Sequence, residues 1–264
     1  MTLNIDGYTV GGNRSLACAR ILWNMIRGAV SGVGEPELAL TDDTSQRWIA
    51  DGPAQTWTLE APADAELDTV MIAAHNLGSI GATVAIQTSA TMGGAFTTRA
   101  TVTPPDNSTI AVMFNTAGGS AHTVRRVRLS ITGASAPIAI GIIRAGCALQ
   151  MPHPVFGGVR PFGLSRVTEA QMVLSERGQW LGRTGKFVAM AGQVEWSLLP
   201  AAWYRASFEP FARTLPLHPF GLILNAEKMP ESVGWCWTDA DAQPGNSGVL
   251  DFVSVGLSFT VFGG

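Results

Sequence analysis

The residues able to do acid–base chemistry in this chain do not form a catalytic motif. A general base needs a positioned partner, yet no acidic residue adjoins any of the four histidines: His75, His122, His153 and His218. Asp239 and Asp241 could serve a cation or a glycosidic bond, although their Gln/Pro/Gly/Asn-rich surroundings equally suit a solvated turn. The patterns G-x-S-x-G, H-E-x-x-H and the Walker phosphate loop are absent. We therefore predict no enzyme activity, no cofactor and no metal.

Three residues are candidates for contact with a glycan. Trp48 lies in a loop-like, acidic region and could stack on a sugar ring. His75 and Asn76 follow a strand in the turn sequence HNLGS, where polar side chains are available to a ligand. The alternative for His75 is a structural hydrogen bond within the turn. Trp57 alternates with Leu59 and is assigned to the core.

Composition excludes several classes of partner. The net charge of −3 gives no electrostatic case for binding nucleic acid. The sequence has no run of 18 apolar residues, so no membrane-spanning segment is expected. The three cysteines are far apart and odd in number, which argues against a disulfide framework. Hydrophobic residues make up 46% of the chain and charged residues only 14%, which favours extensive contact with other protein.

Period-2 alternation of apolar residues predicts that strands position these side chains. The stretch from residue 68 to 89 predicts two strands joined as a hairpin through HNLGS. Further alternating segments, separated by Gly/Pro/Asn/Ser turns, indicate a β-sandwich over residues 15–150. The prolines of Met151–Pro154 make a stiff connection to a second β-rich, barrel-like domain over residues 151–264.

One helix is predicted in the second domain, over residues 200–213, with Pro200 near its start. Residues 16–30 stay open between helix and strand. Residues 1–14 predict a short strand, which we expect to pair with the carboxy-terminal domain, because chain termini often lie close together.

Several segments follow one another in an order that resembles a known family. They are RILWNMIRGAVSG, TVMIAAHNLGSIGATVAIQTS, TVRRVRLSITG, IAIGIIRAG, ALQMPHPVFGG, SERGQWLGRT and PESVGWCWTDAD. Together they resemble tail-tip proteins of tailed phages that carry a galactose-binding-like (discoidin/jelly-roll) domain. The resemblance covers about residues 17–264, and HNLGS and SERGQWLGR are its most specific pieces.

The resemblance implies a virion structural protein at the distal tail or baseplate, assembled in the bacterial host cytoplasm. Its implied partners are copies of itself in a hexameric or trimeric ring, the tail tube protein and the baseplate hub; tail fibres or a host-surface glycan are further candidates. A carbohydrate- or receptor-binding module of the tail is the alternative function.

Five residues are predicted to contact a neighbouring subunit or partner. Large aromatic side chains and arginine are enriched at protein interfaces, and the candidates are Trp180, Arg183, Trp203, Tyr204 and Phe208. The alternative for Trp203 and Phe208 is burial in the core of their own subunit.

Overall fold

A computed structural model describes residues 2–4, 16–117, 119–155, 159, 162–246 and 251–262. Within these ranges only the backbone is described for residues 2–4, 163, 166–170 and 185–189. The fold is mostly β, as predicted. In chain order the strands are β1 (Thr2–Asn4), β2 (Arg20–Leu22), β3 (Ala29–Ser31), β4 (Trp48–Ala50), β5 (Ala54–Leu67), β6 (Thr69–His75), β7 (Thr83–Ser89), β8 (Thr97–Val102), β9 (Ile110–Met113), β10 (His122–Thr132), β11 (Ile138–Gly146), β12 (Leu149–Gln150), β13 (Arg166–Leu174), β14 (Trp180–Pro200), β15 (Phe220–Asn225), β16 (Met229–Trp237), β17 (Gln243–Asn246) and β18 (Phe252–Val261).

These strands form three sheets. The outer sheet has the order β3-β5-β10-β7-β8, and the middle sheet has the order β1-β9-β6-β11-β4. The carboxy-terminal sheet has the order β12-β2-β15-β16-β18-β14-β13, and β17 also pairs with β18. Two short 3-10 turns, Pro36–Leu40 and Phe162–Leu164, lie in the connections.

The outer and middle sheets enclose the first core, which makes them a β-sandwich. Alternate residues of β10 and β6 enter this core, because side chains along a strand point to opposite faces. Its buried members include Trp57, Val70, Ile72, Leu129 and Ile140.

The middle sheet is covered on its second face as well. Met71 and Ala73 of β6 point away from the sandwich core and pack against the carboxy-terminal sheet, where Ile223 and Trp235 lie. All seven residues of β6 are consequently buried. The three sheets form consecutive layers, and the sandwich is joined to the rest of the chain through apolar contacts.

The hairpin predicted between residues 68 and 89 is wrong in one respect. Both strands exist, but β6 pairs with β9 and β11, whereas β7 pairs with β8 and β10. The turn after His75 therefore carries the chain from the middle sheet to the outer sheet. Alternating apolar residues specify a buried face for each strand, and this pattern is the same whether the two strands pair or face each other.

The amino-terminal residues differ from expectation in their pairing. Residues 2–4 pair in parallel with β9 of the middle sheet, not with a strand of the carboxy-terminal sheet. The early segment that does join the carboxy-terminal sheet is β2, which pairs with both β12 and β15. Residues 20–22 are therefore a strand, which settles the alternative left open for that region.

The helix predicted over residues 200–213 is confirmed and contains a π turn. Ala201–Trp203 and Glu209–Ala212 are α-helical, and Tyr204–Phe208 between them is π-helical. Pro210 lacks an N–H group, so the carbonyl of Ala206 loses its usual donor four residues on. A π turn at this point is one way in which a helix accommodates such a break.

Candidate functional site

Trp48 does not lie on the surface, so its prediction as a glycan contact is wrong. The residue sits in β4 opposite Ile140 of β11, and its ring is fully buried in the sandwich core. Its indole Nε1–H donates to the carbonyl of Val33 at 2.6 Å. Both the apolar and the polar parts of the ring are thus used within the fold.

His75 and Asn76 use their polar atoms to build the turn between the sandwich sheets. The His75 Nε2–H donates to the carbonyl of Ser108 at 2.8 Å, and its Nδ1 accepts the N–H of Leu77 at 3.2 Å. The Asn76 side chain donates to the carbonyl of Pro137 and accepts the N–H of residue 139. Burial lowers the pKa of His75 to about 4. These contacts correspond to the structural alternative for His75, whose two ring nitrogens are both used within the fold. The Asn76 side chain is partly buried.

The predicted contact residues on the helix divide between core and surface. Phe208 is fully buried and stacks on Tyr204 with ring centroids 5.3 Å apart. Trp196 and Phe211 meet the same Phe208 ring edge-on. Phe208 and Tyr204 therefore belong to the core of the carboxy-terminal region, which corrects their assignment to a partner contact. Trp203 is half-buried beside them.

Trp180 and Arg183 are brought together on an exposed hairpin. They lie at the start of β14, which pairs with β13 through a turn at residues 175–179. Trp180 is 67% exposed and its neighbour Leu181 is 63% exposed. Met172 and Leu174 on β13 are also exposed. A cluster of large exposed apolar side chains marks an interaction surface more often than a solvated one.

A cleft of about 630 Å³ opens where the helix meets the sandwich. Its volume is in the range of small-molecule sites. The wall combines an aromatic ring, carboxylates, side-chain amides and a hydroxyl, contributed by Trp23, Asn24, Glu66, Asp68, Gln150 and Ser207. None of the described residues that line it is basic. The cleft could not be predicted from local sequence patterns, because its lining residues come from four separate segments of the chain.

Asp68 is the buried acid of the cleft. Its Oδ1 accepts hydrogen bonds from the N–H of Ala148 and the hydroxyl of Thr69, each within 2.9 Å. The Cys147 thiol lies 3.6 Å from Oδ2. Burial nevertheless raises the pKa of Asp68, because desolvation outweighs these hydrogen bonds. These contacts fix the Asp68 side chain in the wall of the cleft.

Acidic residues elsewhere are used within the fold or are solvated. Asp42 pairs with the buried guanidinium of Arg144 at 2.9 Å and contacts His218 of the carboxy-terminal region at 3.4 Å. Asp239 and Asp241 are exposed in a loop. Among the described residues no group of three His, Cys, Asp or Glu side chains is arranged to hold a metal ion.

No known protein family matches the chain, and no curated protein does. Solved structures similar to it include chitosan-binding module 1 of a chitosanase/glucanase from Paenibacillus sp. IK-5 (TM-score 0.40, 16% identity, 47% of this chain and 97% of that chain). Others are the CBM32 of AlyQ in complex with 4,5-unsaturated mannuronic acid (0.38, 19%, 47% and 96%) and the family 32 CBM of Clostridium perfringens NanJ in complex with galactose (0.37, 15%, 44% and 91%). These structural neighbours are carbohydrate-binding modules.

The architecture defines the class of this protein. It is a mostly β protein in which a β-sandwich is stacked on a further sheet that carries one helix. No helix within the described residues has the length and apolar character needed to cross a membrane.

Proposed function

We propose that this protein is a non-catalytic structural subunit that assembles with copies of itself at the tail tip of a tailed phage. In this role it would form an adaptor ring, hexameric or trimeric, between the tail tube and the baseplate hub. The sandwich would project from the ring toward fibres or the host surface. The protein would be built into the virion in the host cytoplasm, as the sequence resemblance implies.

The observation that carries the self-assembly is the uneven distribution of exposed apolar side chains. In the described part of the sandwich they are few: Val33, Ile49 and Met92. In the carboxy-terminal region they include the hairpin cluster together with Leu164, Leu198, Leu217, Trp237 and Phe252. Such surface lowers the free energy of a subunit when a neighbour covers it.

The test is the molar mass and symmetry of the purified protein. Light scattering over a range of concentrations, with negative-stain imaging, should detect closed oligomers. Replacing Trp180 by Glu should weaken assembly while the circular dichroism spectrum stays unchanged, because this side chain lies on the surface. Replacing the exposed sandwich residue Ile49 by Glu is the matched control and should leave assembly intact. A monomer at every concentration would contradict self-assembly.

A second candidate function is carbohydrate binding, and the cleft favours it. Sugars present hydroxyl groups to carboxylates and amides and present C–H faces to aromatic rings, and the cleft offers all three groups. The cleft is lined by the acidic residues Glu66 and Asp68 and by no described basic residue. Because like charges repel, this lining suits a neutral or amino sugar better than a uronic acid.

Calorimetry with neutral, amino and acidic oligosaccharides tests this second candidate. Binding should be selective for neutral or amino sugars, and both Trp23→Ala and Glu66→Gln should weaken it. Trp237→Ala removes an exposed tryptophan outside the cleft and should leave binding unchanged. Absence of binding across the panel, or equal loss in the Trp237 variant, would eliminate the cleft as a sugar site.

A further inference from the structure

The β13–β14 hairpin projects beyond its sheet. β18 pairs with β14 from Pro200 to Met190, where Val261 is its last partner. Within the described residues, β14 before Met190 has β13 as its pairing strand. A turn closed by the Ser175 N–H and the carbonyl of Gln179 at 2.8 Å ends the hairpin. The hairpin therefore forms a two-stranded arm.

The end of the arm is apolar on both faces, and we call it the tip. Leu174 lies opposite Trp180 and Met172 lies opposite Arg183, so these four side chains share one face. Val173 lies on the other face and is also exposed. Leu181, which is unpaired between Trp180 and Gly182, is exposed as well. The five apolar side chains of the tip are thus Met172, Val173, Leu174, Trp180 and Leu181, and together they expose on the order of 400 Å² over the two faces.

A second apolar patch, the base, lies at the opposite end of β14. It consists of Leu198, Pro200 and Phe252, and Phe252 pairs directly with Pro200. Leu198 is 50% exposed and has a φ of +60°, in a bulge between Trp196 and the next paired residue. A leucine in the left-handed region costs free energy. The strained backbone places the apolar Leu198 side chain in solvent, where it contributes no burial energy to the isolated subunit.

The tip and the base lie at opposite ends of β14. Trp180 and Leu198 are separated by 18 residues, which at the usual rise is a path of up to about 60 Å along the strand. The tip carries the exposed Arg177 and Arg183 and the exposed Glu176, which leaves it net positive, whereas the base is flanked by the exposed Glu195 and Asp251. The two patches therefore have complementary net charge. A contact between two tips would bring two net positive surfaces together and leave the base uncovered.

We propose that subunits join head to tail, with the tip of one copy seated on the base of the next. This inference rests on the proposed self-assembly and names the surfaces that carry it. The contact is heterologous: it joins two different patches, and it gives a ring when the rotation between subunits closes and a filament when it does not. The partner is a second copy of this chain.

A mixing experiment with two variants tests this geometry. The tip variant carries Trp180→Glu. The base variant carries Leu198→Asn, since asparagine tolerates the left-handed backbone, together with Asp251→Arg, which would repel Arg183. Each variant alone should require roughly tenfold or more protein to assemble, because central aromatic anchors dominate interfaces. Mixed together they should form a one-to-one heterodimer and stop there, because one intact tip meets one intact base.

The outcomes separate this inference from the proposed function. A wild-type protein that stays monomeric contradicts self-assembly itself. Suppose that the wild type assembles, that the base variant still dimerises alone and that the mixture gives no heterodimer. These results would overturn the head-to-tail geometry in favour of contact between tips. Unchanged assembly of both variants places the interface elsewhere and also overturns the inference. Circular dichroism of each variant checks that the fold is intact.

Discussion

Acid should destabilise this protein through His75. The ring is neutral in the fold, with Nε2–H as a donor to Ser108 and Nδ1 as an acceptor for the N–H of Leu77. Protonation of Nδ1 would break the second hydrogen bond and bury a charge. Desolvation is the main reason that the pKa of His75 falls from 6.5 to about 4.

The magnitude follows from the difference between the folded and unfolded pKa values. Between pH 6.5 and about 4 the unfolded chain binds a proton that folded His75 does not, so stability rises with pH in this window. The difference of about 2.5 units corresponds to about 3 kcal/mol. This contribution is fully present above pH 6.5 and is lost as the pH falls toward 4.

Urea denaturation from pH 7.5 to 4.5 measures this contribution. The free energy of unfolding of wild type should fall more steeply with acid than that of His75→Gln, which cannot titrate. The difference between the two curves cancels the other titrating groups. Parallel curves for wild type and His75→Gln, or a His75 pKa near 6.5 by NMR titration, would refute the reasoning.

Three further substitutions test the packing and the ion pair by chemical denaturation. Trp48→Ala should cost about 3–5 kcal/mol of stability, because it empties a fully buried ring site. Asp42→Asn should cost about 1–2 kcal/mol, since it removes the half-exposed partner of buried Arg144, which keeps its bonds to backbone carbonyls. Gly221→Ala should cost about 1–3 kcal/mol, because its Cβ would lie 2.0 Å from the Met71 sulfur.

Each of these predictions has its own control. Trp48→Phe should keep more of the stability, and full stability of Trp48→Ala would contradict burial of the ring. Asp43→Asn alters the neighbouring carboxylate, which bonds Ser45 rather than a cation, and should cost less than Asp42→Asn. If the clash is the cause, Gly221→Ala should cost less in a Met71→Ala background than in wild type.

The sequence predicts the local elements better than it predicts their pairing. Alternation correctly identifies β6 and β7, and the aromatic spacing correctly identifies the helix from residue 201 to 212. Both signals come from residues close together in the chain. The change of sheet after His75 has no such signal, because pairing and facing strands require the same buried side.

Among the candidate contact residues, exposure is predictable from the sequence only where it follows from a local turn. Trp180 and Arg183 both follow the SERGQ turn, and side chains at the end of a projecting hairpin are exposed without reference to distant strands. Trp48 looked equally loop-like, but its burial depends on β11, some 90 residues later. The same limitation hides the cleft, which exists only after the helix has packed beside the sandwich.

The position of β2 has a consequence for biosynthesis. Arg20–Leu22 pairs with residues 221–223, about 200 residues later in the chain. At ribosomal speeds of about 5–20 residues per second, β15 is synthesised on the order of 10–40 s after β2. During that interval the outward face of the middle sheet, with Met71 and Ala73, has no cover. The nascent sandwich is therefore a partly folded intermediate that exposes apolar surface and is prone to aggregation. Slower synthesis at low temperature with abundant chaperones should raise the soluble yield.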